Sequence, residues 1–188
     1  MREIQYIELC RKGDRRAFKH LYQEYAPYLY TICRRYGISE AECPDMLQEI
    51  FAEVFTSISR FDAAKGKLKP WIRSIGVHKI LSSRRGRVLE VVHLTDQHDW
   101  SGAENEALKK LKEDDLMRLV NSMPEGYRVV FNLYVVDGYS HDEIHKLLGI
   151  KVETSRSQLM RARKWLQRNL DDFYGQATPK KNSKINLV

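Results

Sequence analysis

Apolar residues recur every three or four positions along almost the whole 188-residue chain, while strand-like alternation is nearly absent. Such spacing puts one stripe of each segment in contact with a core only if the segment is helical. The expected fold class is therefore all-α. An N-terminal block, about residues 4–85, reads as four helices. The first covers 4–11 and ends at Gly13, and the second covers 15–36, broken or bent near Pro27 and stopped by Gly37. The third covers 44–59 and the fourth about 70–85, each starting on a proline. A second block, about 106–174, reads as helices over 107–123, 125–137, 140–148 and 152–173, with Pro124, Gly138 and Gly149 between them. The stretch between the blocks, "VLEVVHLTDQHDWSGAEN", has no sustained period and reads as a linker. The expected division is a first domain at 1–87, a linker at 88–106, a second domain at 107–174 and a polar tail at 175–188.

Charge is segregated along this frame. Residues 60–87 carry nine Lys or Arg against one acid, and residues 151–169 carry six against one. These two segments contribute +8 and +5 to a chain whose total is +7, so the remainder is net −6. Two basic surfaces on an otherwise acidic protein point to two contacts with a polyanion. With 43% hydrophobic residues there is enough apolar surface for real cores. No apolar run approaches the roughly eighteen residues of a membrane span, and the N-terminus lacks the long apolar stretch of a signal peptide. No membrane insertion and a cytoplasmic location are expected. Cys10, Cys33 and Cys43 show neither C-x-x-C spacing nor nearby histidine pairs, and read as reduced, core-filling thiols. No metal and no cofactor are expected.

"YSHDEIHKLLGIKVETSRSQLMRARKWL" has the grammar of a helix-turn-helix. Ser140 and Glu143 form a capping-box pattern, and Gly149 supplies the tight turn before the second helix. On that helix Val152, Leu159, Ala162 and Leu166 share one face. Glu153, Thr154, Arg156, Ser157, Met160, Arg161 and Lys164 are expected on the accessible side, where a major groove would lie. Arg156 and Arg161 are the strongest readers on chemical grounds, because the guanidinium fork holds guanine edges or phosphates in a bidentate manner. Arg163 and Arg168 are expected to cover apolar surface with their stems and to reach phosphates at best. The alternative is an ordinary solvated helical hairpin.

In the first block, Leu47, Ile50, Phe51, Val54 and Phe55 make a buried stripe that leaves Asp45, Gln48, Glu49 and Glu53 displayed opposite. Residues 40–53 contain no base, so this face is wrong for DNA and suits either solvent or a basic protein. The segment that follows, "RFDAAKGKLKPWIRSIGVHKILSSRRGR", is a basic loop feeding a basic helix. A binder of unstacked DNA needs pockets and phosphate contacts. The loop from Phe61 to Pro70 is the expected pocket, with Lys65, Lys67, Lys69, Arg73, Lys79, Arg84 and Arg85 supplying charge. Trp71 fits either a nucleotide-facing ring or core packing.

The segment from Leu116 to Leu170, with "MPEGYRVVFNL", "YSHDEI" and "SQLMRARKWL", resembles the C-terminal domain of bacterial RNA polymerase sigma factors. "GDRRAFKHLYQEYAPYLYTICRRY" and "AECPDMLQEIFAEVF" resemble the start of the sigma N-terminal domain, including its Asp-x-x-Gln-Glu core at Asp45, Gln48 and Glu49. The resemblance implies that the acidic helix grips the clamp helices of the polymerase β′ subunit. It further implies that the basic loop and helix capture flipped bases of the minus-10 element. The C-terminal domain is implied to read minus-35 through Arg156, Ser157, Met160 and Arg161, and to dock on the β flap. Trp71 fits the family's helix start, and His78 stands where many relatives have asparagine. The short linker and the absence of anything before the first block match the two-domain extracytoplasmic-function (ECF) branch, in which an anti-sigma factor commonly holds the protein inactive.

His145 and Ser155 depart from the family's usual alanine and valine, and the expectation is that the imidazole and hydroxyl pack against each other at the helix crossing. The implied function is promoter-directed transcription initiation with core RNA polymerase and promoter DNA as partners. A polymerase-independent dimeric helix-turn-helix regulator is the alternative. An enzyme is not expected, since no P-loop, Cys-His zinc pattern or nucleophile elbow occurs.

Overall fold

The protein is represented by a computed structural model that describes residues 2–84 and 113–177, and side-chain surroundings for residues 4–84 and 118–170. Eight α-helices and no strand occur among the described residues: α1 (Arg2–Arg11), α2 (Arg15–Arg35), α3 (Cys43–Ser57), α4 (Leu68–Ser83), α5 (Glu113–Ser122), α6 (Glu125–Phe131), α7 (His141–Leu148) and α8 (Val152–Ala177). The expected linker, Arg85 and residues 178–188 of the expected tail lie outside the described residues. Residues 175–177 of that tail belong to α8.

Local chemistry sets most helix ends. Asp14 caps α2 by accepting from the Arg16 and Ala17 amides at 2.7 and 3.0 Å. At the other end Gly37 adopts φ +81°, and the Ile38 amide reaches back to the Cys33 carbonyl at 3.0 Å. Between these ends α2 is continuous through Pro27, so of the expected break or bend the break does not occur. A mid-helix proline costs about 3 kcal/mol. Here it is exposed, while Leu21, Tyr25, Leu29, Ile32 and Cys33 stay buried on both sides of it. Burying several such side chains at roughly 1.5–3 kcal/mol each outweighs one lost hydrogen bond. The fourth helix starts at Leu68, two residues ahead of Pro70, so the loop that precedes it is shorter than expected.

In the N-terminal half α2, α3 and α4 pack around Leu29, Ile50, Ile72, Val77 and Ile80, each essentially fully buried. Gly76 is what lets α4 approach so closely. A Cβ there would stand 2.9 Å from Leu29 Cδ2 and 3.8 Å from two Ile50 carbons. The three cysteines are buried and free, and burial pushes the Cys10 and Cys33 thiols up to about 11 and about 12. They are inert core fillers, as expected.

In the C-terminal half Ile144, Leu148 and Ile150 pack on Leu159, Ala162 and Leu166. The helix expected over 125–137 changes character inside: after Phe131 the backbone becomes a π-helix, Asn132–Val136. The wider turn is closed by the Asp137 amide reaching the Asn132 carbonyl at 2.8 Å. Both Asn132 and Asp137 are buried. Asn132 donates to the Arg35 carbonyl at 3.0 Å, and Asp137 accepts from Arg35 Nη2 and Tyr36 Oη, each at 2.6 Å. The π-turn thus carries the polar seam between the two halves.

Substituting Gly76 with valine should destabilise the fold by about 1–3 kcal/mol through overpacking against Leu29, with a smaller loss for Gly76→Ala, because only a side-chain tip must move. Urea unfolding monitored by circular dichroism measures both.

Candidate nucleic-acid interface

Three surfaces follow from this packing. On α3 the buried stripe is Met46, Leu47, Ile50, Phe51 and Val54. Phe55, expected in that stripe, is only half-buried against Phe18, with ring centroids 4.6 Å apart. Asp45, Gln48, Glu49 and Glu53 are all exposed on the opposite side. Two of these carboxylates are tied to the neighbouring basic surface: Lys79 Nζ lies 3.3 Å from Glu49, and Arg60 lies 3.6 Å from Glu53.

The second surface is α4 with its loop. Lys65, Lys67 and Lys69 are exposed, and Lys69 Nζ sits 4.4 Å from the Tyr28 ring centroid. Phe61 departs from expectation. It is 5% exposed and packs edge-on to Trp71 at 5.3 Å, so it anchors the loop to the core and does not line an open pocket. Trp71 is half-buried and serves both roles left open for it: one side meets Phe61, and the ring also lines a groove of roughly 470 Å³ between α3 and α4. Glu53, Arg60, Ile75, His78 and Lys79 share that groove. Arg60, absent from the residues singled out in the sequence, stands on the groove wall because the 3-10 turn Ile58–Arg60 follows α3 directly.

His78 Nδ1 lies 2.8 Å from the Ser74 carbonyl oxygen. A carbonyl only accepts, so the neutral ring carries its proton on Nδ1 and leaves Nε2 as an acceptor. Arg73 and Arg84 are less free than the lysines. Arg73 Nη1 lies 3.9 Å from Asp137, and Arg84 lies 3.4 Å from Glu125 and 3.9 Å from Glu42.

The third surface is α8, entered through the expected helix-turn-helix geometry. Ser140 and Glu143 form the reciprocal capping box, which lowers the Glu143 pKa, and Gly149 ends α7 at φ 76°. On α8 the exposed stripe is Glu153, Arg156, Met160 and Arg163. Thr154 and Ser157 flank it, half-buried, with the Ser157 hydroxyl donating to the Thr154 carbonyl at 2.9 Å. Lys164, expected on the accessible side, is turned inward instead, with its Nζ buried. Arg161, expected on the accessible side, is only 9% exposed. It stands one turn above buried Gln158, on the flank where the other helices pack. Arg163 takes its place in the open. The sequence carries the signal for this in the i, i+4, i+7 series Arg156, Met160, Arg163, which continues the stripe from Glu153.

The expected His145–Ser155 pair is also replaced. Ser155 is fully buried and meets His141 Nδ1 at 2.9 Å, while His145 Nδ1 lies 2.7 Å from the Ile150 carbonyl oxygen. Position 141 is the first residue of α7 and faces the second helix. Position 145, one turn on, reaches over the turn instead. His141 is stacked on Tyr134 at 4.4 Å. Its pKa is lowered by burial first, then by the Arg156 and Arg163 guanidiniums, with Asp142 opposing.

No group of three or more His, Cys, Asp or Glu among the described residues could hold a metal ion, and no helix there is long and apolar enough to cross a membrane.

Residues 21–88 match the family described as Sigma-70 region 2, and residues 113–166 match Sigma-70, region 4. The chain is 28% identical over 162 residues to RNA polymerase sigma factor NccH of Alcaligenes xylosoxydans xylosoxydans, covering 81% of this chain and 86% of that one. It is 26% identical over 170 residues to the ECF RNA polymerase sigma-E factor of Escherichia coli, covering 84% and 88%. Its fold is similar to that of the sigma factor RpoE from Bartonella quintana, solved in complex with the anti-sigma factor NepR. The TM-score is 0.50 at 21% identity, over 82% of this chain and 96% of that one.

The lowered His141 pKa has a stability consequence. Above 6.5, its ordinary value, the ring is neutral folded and unfolded, and the full stability is present. As pH falls below 6.5 the unfolded chain takes the proton first, so stability declines until the folded pKa is passed. The melting temperature of the wild type should therefore fall between about pH 7 and pH 5 more steeply than that of His141→Gln.

Proposed function

Because this chain belongs to the sigma-70 family of RNA polymerase subunits, in its ECF branch, we propose a division of labour among the three surfaces just described. A sigma factor directs core RNA polymerase to promoters for transcription initiation, and that is what this protein does. In our reading the exposed α3 face, Asp45, Gln48, Glu49 and Glu53, binds the β′ clamp helices, and the C-terminal helices dock on the β flap. The exposed stripe of α8, Arg156, Met160 and Arg163 with Glu153, enters the major groove at minus-35. Thr154 and Ser157 are placed to reach its edges. Arg161 supports the helix from its packed flank. The α4 edge and its loop hold the opened minus-10 strand, with Lys65, Lys67 and Lys69 on phosphates and the groove beside Trp71, His78 and Lys79 receiving a base. Unstacking costs a few kcal/mol per base, which a stacking wall and cationic rim can offset.

The observation that carries this reading is the separation of charge by helix face. The α3 carboxylates and the α4 lysines point away from one shared core, so a protein and a nucleic acid can be held at once. The polymerase supplies the chemistry, and the chain acts by binding, in the cytoplasm where polymerase works. By likeness to RpoE, whose solved structure holds NepR, an anti-sigma factor belongs among the proposed partners. Co-purification from the native host tests that part.

Transcription from a library of genomic fragments by the reconstituted holoenzyme tests the rest. Arg156→Ala and Arg163→Ala should each cost about 1–3 kcal/mol, and only on templates with the preferred upstream element. Asp45→Ala with Gln48→Ala should weaken core binding on every template. Equal losses across all templates for the two arginine variants would remove base reading from that stripe.

A further inference from the structure

We propose that binding of the upstream element is proton-linked through His141: the imidazole, neutral in the free chain, takes a proton from solvent when DNA phosphates reach Arg156 and Arg163, and holds a phosphate as imidazolium. The contact comes from α7, outside the α8 stripe. This inference rests on the reading above that the stripe enters DNA.

Three elements position the ring. His141 is the first residue of α7 and is half-buried against α8, where its Nδ1 meets the Ser155 hydroxyl at 2.9 Å. One face lies on the Tyr134 ring of the π-turn, with centroids 4.4 Å and planes 22° apart. The ring is thus held at one nitrogen and one face. Nε2, across the imidazole from Nδ1, is left for a second partner. The charged groups around it are Arg156 and Arg163 from α8 and Asp142 from its own helix, while the π-turn contributes the neutral Tyr134 phenol. Glu143, also on α7, is turned back onto Ser140 in the capping box. Two cations therefore face the ring against one acid.

None of these contacts bars a proton. A hydroxyl both donates and accepts, so Ser155 serves a bare Nδ1 or an Nδ1–H by turning its own hydrogen, and neither side chain has to move. From either neutral tautomer the protonated ring ends with Nδ1–H on Ser155 and Nε2–H on the phosphate. The face of Tyr134 also accommodates a cation. What keeps the ring neutral in the free chain is burial first, then the two guanidiniums, with Asp142 opposing. A DNA backbone acts on both causes. Its phosphates neutralise Arg156 and Arg163, and a phosphate at Nε2 gives the buried imidazolium a charged partner. Because the free ring titrates below 6.5 and the phosphate-bound ring at a higher pH, affinity strengthens as pH falls through the bound value and levels off below the free one.

The test is the affinity of reconstituted holoenzyme for a labelled duplex that carries the preferred upstream element and lacks minus-10, so that α4 takes no part. Fluorescence anisotropy follows it between about pH 8 and about pH 6 at fixed ionic strength. One proton permits a gain of at most about 10-fold per pH unit. The wild type should bind about 5-fold tighter at the lower pH, and His141→Gln should change by less than about 2-fold. Circular dichroism checks that the variant keeps its helices. Calorimetry in two buffers of different ionisation enthalpy needs no variant: the wild-type complex should take up protons near pH 6.5 and none near pH 8, both about the limits of a histidine titration. Parallel pH profiles for wild type and His141→Gln, or binding without proton uptake, overturn the proposal. Arg156→Ala separates that failure from failure of the groove reading. Its loss must weaken binding at every pH if the α8 stripe holds DNA at all.

Discussion

The arrangement depends on one constraint: α4 must lie against α2 and α3 closely enough to share a core, and Gly76 over Leu29 and Ile50 is where that approach is made. Once three helices share that core, each has a single outward face left, and sequence decides what it displays. On α3 it is carboxylates and an amide, and on α4 and its loop it is lysine, arginine and imidazole. The two faces touch at their common border, where Lys79 meets Glu49 and Arg60 meets Glu53. Exposed pairs of this kind add little stability, typically about 0–1 kcal/mol each. Their consequence is positional. The long side chains at the border are held near the groove that the same border encloses.

Much of this was legible from periodicity. Helix positions, the capping box at Ser140 and Glu143, the left-handed glycine at 149 and the acidic face of α3 are all consequences of local spacing, and local spacing is what a sequence displays directly. What periodicity hides is the strength of tertiary packing. Pro27 breaks a helix only where nothing else holds it, and α2 is held by buried side chains on both sides. The π-turn at 132–136 was invisible for a related reason. Nothing in "NLYVV" demands an extra residue per turn; the wider turn is stabilised by what Asn132 and Asp137 reach in the other half of the chain.

Site residues failed in a characteristic way. A rotational phase error of one flank exchanges Arg161 for Arg163, because "RAR" places two arginines on either side of a buried alanine, and it is the spacing from Arg156 through Met160 that favours the second. The His145–Ser155 pairing failed by one helical turn. A buried hydroxyl on α8 did require a partner, and an imidazole of α7 does supply it, but from position 141. At Phe61 the sequence is ambiguous, because an aromatic residue before a basic loop looks alike whether it faces a ligand or fastens the loop, and its contact with Trp71 does the latter.

The choice between arginine and lysine fits the contrast between the covered and the open parts of the basic surface. The exposed loop uses Lys65, Lys67 and Lys69, compact and strongly hydrated charges that keep their water. At the seam the cations are all arginine: Arg35, Arg73 and Arg84, whose side chains are 11%, 31% and 15% exposed. Guanidinium is more weakly hydrated than ammonium and offers several donors in one plane, so it tolerates burial against a carboxylate. Lysine at those positions would lose more hydration on burial and would gain a single point contact. The distribution of the two cation types therefore matches a surface of which one part lies in solvent and the other is packed against internal carboxylates.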